Sequence, residues 1–238
     1  MGTMRPVNRS TNAPGGEPAA HGPPLALRMA TEIALRAVPG RTVLLVGPPD
    51  PWVTQMVDRH AGRVEVVPHP GAAGELVTKD TTFEVVVALR VLPFFGPDSR
   101  TSEQRAKLLV ATMAEKLAPG GTLVFDIDNP QSLRGAYFGV RHLAKAIEAG
   151  PLVADTPEGP NRFDTLERFM ADLPDFLEFV ELHGVELVYA PDRSRRLPLV
   201  GRALEWFEWR AGSLPLLRRV ASHLAIVLRS AGGRRADR

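Results

Sequence analysis

The segment from Phe83 to Asp128 constrains this chain most, because it reads as two buried parallel strands joined by a helix. Phe83-Glu84-Val85-Val86-Val87-Ala88-Leu89 is a short, β-branched apolar run, which suits a strand covered on both faces. A helix with its own start and stop signals follows. Thr101 and Gln104 have capping-box spacing, and Ala106, Leu109, Val110, Met113, Ala114 and Leu117 recur at helical intervals. Pro119-Gly120-Gly121 stops the pattern, and Thr122–Ile127 supplies the second buried strand. A β–α–β unit crosses over right-handedly and places ligands at the carboxyl ends of its strands. Interest therefore centres on Leu89–Phe95 and Asp126–Pro130.

The rest of the chain continues the alternation. Helical spacing over Leu25–Val38 stops at Pro39-Gly40, and Thr42–Val46 reads as a buried strand. A Gly-Pro-Pro-Asp-Pro turn, a helix to about His60 and a strand at Val64–Val67 come next. Asn129–Asn161 is an insertion punctuated by glycine and proline, with a helix expected at Arg141–Glu148. Helical pieces are predicted around Arg162–Ala171 and Leu173–His183, the second capped by Asp172 and stopped by Gly184. A strand at Val185–Tyr189, a helix at Leu199–Arg210 and a strand at Ala221–Leu228 complete the order. The fold class is α/β: a doubly wound, mostly parallel Rossmann-like sheet with helices on both faces.

Composition narrows the function classes. Zero cysteine removes disulfides, thiolate metal sites and cysteine nucleophiles together. No apolar run approaches the ~20 residues that span a bilayer, so no membrane partner is expected. Residues 1–24 hold five prolines and four glycines with no apolar block, and read as a disordered leader of a cytoplasmic protein. One domain is expected over residues 25–229, with a flexible tail at 230–238. Charge is uneven: residues 151–192 carry ten acids against two arginines, and residues 193–238 eleven arginines against three acids. A basic arm suits nucleic acid or an acidic partner. No aromatic–basic nucleic-acid signature accompanies it, so mutual neutralisation within one fold is the simpler reading.

Several of these stretches resemble one family. Phe83–Leu92 looks like the fourth strand and following loop of class I S-adenosylmethionine-dependent methyltransferases. Leu117-Ala118-Pro119-Gly120-Gly121-Thr122-Leu123 looks like their helix D to strand 5 junction, and Gly71–Thr82 is similar to the segment before strand 4. Leu173–Tyr189 and Leu224–Arg229 resemble the last helix with the sixth strand and the closing strand. The resemblance spans about Val43 to Arg229 and implies methyl transfer from S-adenosylmethionine to a small-molecule substrate. By position it places Gly47, Asp50, His69, Leu89 and Arg90 nearest the cofactor.

The cofactor loop departs from the family's pattern. Leu44–Pro51 keeps Gly47, but Pro49 and Pro51 stand at the other two glycine positions and Leu45 at the usual acid. Proline fixes φ and offers no N–H to an anion. Val67-Pro68-His69-Pro70 replaces the acid that ends strand 2, and Ala72 the acid after strand 3. From Val46 to Phe83 is short for two complete β–α units, so strand 2 with its helix, or strand 3, is expected to be reduced. The alternative is therefore a fold that no longer methylates: a binding or regulatory subunit of a catalytic paralogue, a homodimer, or a cyclase.

Four further features are weighed on their own. His142 lies in the insertion the family uses over its acceptor pocket, where a histidine suits a general base, but a plain surface helix residue is the favoured reading. His223 reads as a satisfied core or edge residue. Asp126 and Asp128, two apart on a strand, project to one side but lack a third ligand, so no metal site is read. Trp206, Phe207 and Trp209 cluster on one helix, as packing, an acceptor pocket or a dimer surface.

Overall fold

The structure, a computed structural model, describes residues 23–47, 50–68, 81–94, 98–132, 135–137, 140, 151–156, 159–171, 173–188 and 198–232. Helix α1 (Leu25–Leu35) leads into strand β1 (Thr42–Val46), helix α2 (Pro51–His60) and strand β2 (Arg63–Val67). Strand β3 (Phe83–Ala88), helix α3 (Ser99–Glu115) and strand β4 (Leu117–Asp128) form the expected crossover unit. A hairpin of β5 (Leu152–Thr156) and β6 (Gly159–Phe163) follows, then α4 (Leu166–Ala171), β7 (Leu177–Val185), α5 (Pro198–Gly212) and β8 (His223–Ser230).

These strands make one mostly parallel sheet. β2, β1, β3 and β4 lie side by side and parallel, while β8 runs antiparallel between β4 and β7. Alternation along each strand sorts side chains to two faces. Leu44, Val86, Leu123, Phe125 and Ile226 meet Leu109 and Met113 of α3 on one side. Val43, Leu45, Val85, Val87 and Val227 meet Ile33 and Ala34 of α1 and Val57 of α2 on the other. Helices on both faces of a parallel core confirm the α/β class.

Past the end of β3 the sheet forks. β8 follows β4 to the Asp128–His223 pair, and on β4's other side Asp128 pairs in parallel with Phe163 of β6. The β5–β6 hairpin therefore sits at the carboxyl edge, where the crossover unit places ligands.

Several local expectations need correction. α3 begins at Ser99, two residues before Thr101, because Asp98 is the cap: its carboxylate accepts the Thr101 N–H at 2.8 Å. The stretch expected as a helix over Leu173–His183 is largely strand β7, since β8 needs a partner along its outer edge and tertiary pairing overrides a local helical pattern. Gly184 is thus not a helix stop; it is a packing glycine whose added Cβ would stand 2.7 Å from Arg218 Cα. Arg162 belongs to β6, so the helix expected from it shortens to α4, and the strand expected at Val185–Tyr189 ends where it was to begin. β2 is fully formed and pairs with β1 along its length, so strand 2 itself is not reduced. Residues 69–80, Arg141–Glu148 with His142, and Asp172 lie outside the described residues.

Candidate functional site

The carboxyl edge of the sheet gathers most of the residues singled out from the sequence. β1 ends at Val46, and Gly47 turns the chain with φ +112°, a left-handed value that costs glycine little. Its N–H donates to the Val67 carbonyl at 2.9 Å, tying the turn to β2. The room left by the missing side chain is already taken: a Cβ on Gly47 would stand 2.3 Å from a Val91 methyl.

Asp50 is the N-cap of α2, with Pro51 at the first helical position. Its Oδ1 accepts the Trp52 N–H at 2.8 Å and the Val53 N–H at 3.4 Å. The positive end of that helix is thus served by the chain's own carboxylate. β2 ends on buried Val67 and then Pro68, neither of which offers an acid.

Leu89 and Arg90 form the turn after β3. A cavity of about 210 Å³ opens beside them, lined by Leu27, Leu45, Val46, Asp50, Val53, Leu89 and Arg90. The structure therefore brings together Asp50, Leu89 and Arg90 at one cavity, with Gly47 adjoining Val46 and outside the lining. His69 lies outside the described residues.

Arg90 has an unusual backbone for a non-glycine residue, φ +58°. The reason lies across the edge. Its N–H donates to Asp126 Oδ1 at 2.5 Å, and its Nη1 donates to Asp128 Oδ1 at 3.1 Å. Asp126 and Asp128, both buried, indeed face the same way. Asp128 also accepts from His223 Nδ1 at 2.5 Å and from Asn161 Nδ2 at 2.5 Å, while His223 Nε2 lies 3.3 Å from Glu186 Oε2. This is a largely buried ion cluster that draws on the turn after β3, on β4, β6 and β8, and on the end of β7.

Its electrostatics follow from that packing. Burial alone would lower the His223 pKa, but the Asp128 carboxylate and hydrogen bonds to Asp128 and Glu186 prevail and push it up to about 9. Burial opposes ionisation of Asp128 too, yet His223 and Arg90 hold its carboxyl well below the usual range. Asp126 goes the other way: burial raises it, and Arg90 only partly offsets that. That shift keeps His223 charged at neutral pH, with its Nδ1 set between Asp128 Oδ1 and, at 2.8 Å, Arg90 Nη1, so it is a structural partner of the cluster.

Sequence reasoning missed Val91 as the residue that fills the glycine's space, and Glu186 and Asn161 as members of the cluster. The period of two in Asp126 and Asp128 was the one available signal. Nothing in the sequence tied those acids to a residue after β3.

Beyond the edge, Asn129 locks the next turn, donating through Nδ2 to the Arg219 and Ala221 carbonyls at 2.7 and 2.9 Å. Trp209 is half-buried under Arg36, whose guanidinium lies 5.5 Å from the ring centroid, but Trp206 and Phe207 face out.

No protein-family model matches the sequence, and no curated protein does at a significant level. Solved structures do. SpnF, a [4+2]-cyclase, matches with a TM-score of 0.52 and 16% identity, over 86% of this chain and 82% of its own. The CcbJ methyltransferase from Streptomyces caelestis gives 0.49 and 17% identity, over 88% and 91%. N-methyltransferase NodS from Bradyrhizobium japonicum, in complex with S-adenosyl-L-homocysteine, gives 0.49 and 14%, over 85% and 84%. The likeness to SpnF shows a shared α/β fold, the mostly parallel Rossmann-like sheet described above. At these identities the likeness speaks for architecture, and function has to be argued from the site. Among the described residues no helix is long and apolar enough to cross a membrane.

Proposed function

We propose that this chain is a methyltransferase-fold protein that works without transferring a methyl group, as a binding or regulatory subunit whose cleft takes a small molecule. One observation carries the reading: the space beside Gly47 is filled by Val91. In the resemblance that glycine turn is where backbone comes close to S-adenosylmethionine. Three other features agree with it. The N-terminus of α2 holds Asp50, Arg90 is engaged by Asp126 and Asp128, and β2 ends without an acid. These features argue against a cofactor held as in the family. Each charged hydrogen bond lost is worth roughly 1.5–3 kcal/mol. Two such losses with a blocked loop weaken binding by three or more decades, since about 1.4 kcal/mol is tenfold. The cavity, at about 210 Å³, also falls below the ~300–1,000 Å³ common for larger ligands.

The partner in this reading is a second copy or a catalytic paralogue. SpnF supports the general idea that this architecture also serves reactions other than methylation.

A second reading keeps the methyltransferase, and the cavity's position favours it. It opens at the ends of β1 and β3, with Asp50, Leu89 and Arg90 in its wall, where the resemblance puts the cofactor. Methyl transfer needs alignment of a nucleophile with an electrophilic carbon more than an acid or base, so no catalytic residue is named. Calorimetric titration with S-adenosylmethionine and S-adenosylhomocysteine separates the two. Silence at millimolar ligand is expected; micromolar heat from either compound overturns the non-methylating reading.

A further inference from the structure

Helix α5 carries much of its apolar surface on the wrong side for a helix lying on a sheet. Its most buried positions, Glu208, Ala211 and Gly212, are small or acidic, with Leu204 and Trp209 half-buried beside them. Glu208 is buried, and its two carboxylate oxygens accept the Leu187 and Val188 N–H groups at 2.8 Å each. Glu205 pairs with Arg28 of α1, and Gly212 packs on the Gly184 carbonyl, 2.2 Å from where a Cβ would stand. The outward stripe follows helical spacing through Leu199, Arg202, Trp206, Phe207, Arg210 and on to Leu214, all exposed. Leu199 is 83% and Trp206 64% accessible, and Leu216 just beyond the helix 80%. Arg210 lies over the Trp206 ring at 5.8 Å. Glu205 and Glu208 are the only acids between residues 198 and 220, and both are turned inward. The face is therefore apolar and positive.

Its complement lies on the same molecule. β7 hydrogen-bonds only to β8 among the described residues, leaving its other edge open. A register shift between Phe179 and Glu181 leaves Glu178, Phe179 and Val180 exposed side by side, and Asp175 is exposed in the turn before β7. Glu178 stands opposite exposed Arg229 of β8, and the edge is apolar with Asp175 and Glu178 as its acids. The two surfaces adjoin along a seam held by Arg36, which reaches Glu181 at 3.1 Å and covers Trp209.

We propose that the chain forms a two-fold dimer in which the arginine–aromatic face of α5 in one copy docks on the acidic, apolar β7 edge of the other. Two-fold symmetry uses each contact twice, so both exposed surfaces are covered in one closed assembly. Open strand edges and large apolar patches are features that soluble proteins cover. An anionic lipid surface is the competing occupant for a tryptophan–leucine–arginine face. The adjoining Asp175 and Glu178 would be repelled by such a surface and attracted by a second copy's arginines.

This deepens the subunit reading above, but its test uses no cofactor, so either can fail alone. The full chain is followed by sedimentation velocity over a wide range of concentration, with circular dichroism to verify folding of each variant. A dimer is expected. Arg202→Glu with Arg210→Glu should weaken it roughly tenfold or more, and adding Glu178→Arg should recover most of that loss. A monomer at every concentration overturns the proposal. So does a dimer indifferent to the charge reversals, or pelleting with phosphatidylserine vesicles without self-association.

Discussion

The carboxyl edge of this sheet has two halves built on opposite principles. At β1 and β3 the edge is lined by Leu45, Val46, Val53 and Leu89, with the Gly47 turn closed by Val91. At β4 and β8, a few residues away, buried Asp126, Asp128 and His223 pack against half-buried Arg90. The first half is where the family's resemblance puts polar contacts to a ligand, and it has few to give. The second half is rich in charge but spends it internally. Arg90 joins the two: it lines the cavity, yet its guanidinium turns toward β4. One sheet edge thus holds an apolar cleft and a charged scaffold side by side.

The largest test of that contrast is at the charged half. Asp128→Asn removes the one carboxylate shared by Arg90, His223 and Asn161. Leaving two cations under-compensated in a buried site should cost about 3–5 kcal/mol in denaturant unfolding. A loss below about 1 kcal/mol would mean the cluster is no hub, and the contrast between the halves would collapse.

A pH scan gives the next effect. His223 is held up at about 9 in the fold, against roughly 6.5 unfolded. A cation favoured by folding contributes stability that is fully present below its unfolded pKa and is lost as pH rises through the folded one. Melting temperature should therefore decline between about pH 6.5 and 9, by an amount on the order of 3 kcal/mol in stability. The decline should be flattened in Asp128→Asn. A wild-type profile level across that window would refute the charged assignment of His223.

The smallest effect comes from the apolar half. Asp50→Ala should cost about 1 kcal/mol, the usual loss of an N-cap, with no change in ligand heat. If stability is untouched while a small-molecule affinity falls, Asp50 faces a ligand and the cleft is more polar than described.

How much of this was legible before the structure follows the range of the interactions. The β3–α3–β4 unit was readable because buried strands and a capped helix announce themselves within a few residues. The carboxyl-edge location of Leu89, Arg90, Asp126 and Asp128 came with it. β7 was misread because Leu173, Phe176, Leu177 and Val180 have helical spacing, and only the distant β8 supplies the pairing that makes them strand. The ion cluster was invisible for the same reason: Arg90 and Asp128 are separated by 38 positions, and Asp128 and His223 by 95. Val91 beside Gly47 is a contact of shape, and hydrophobic pattern alone does not report which side chain fills a gap.

The fork at the end of β4 bears on how such a protein can evolve. Asp128 pairs with Phe163, and Asn161 of the same strand reaches back to the Asp128 carboxylate. The segment between residues 129 and 161 is in this way sewn into the central strand at its far end. Swapping it for another would also undo a seam of the scaffold, so new insertions are harder to graft here than on a chain whose insertion merely hangs from its two stems.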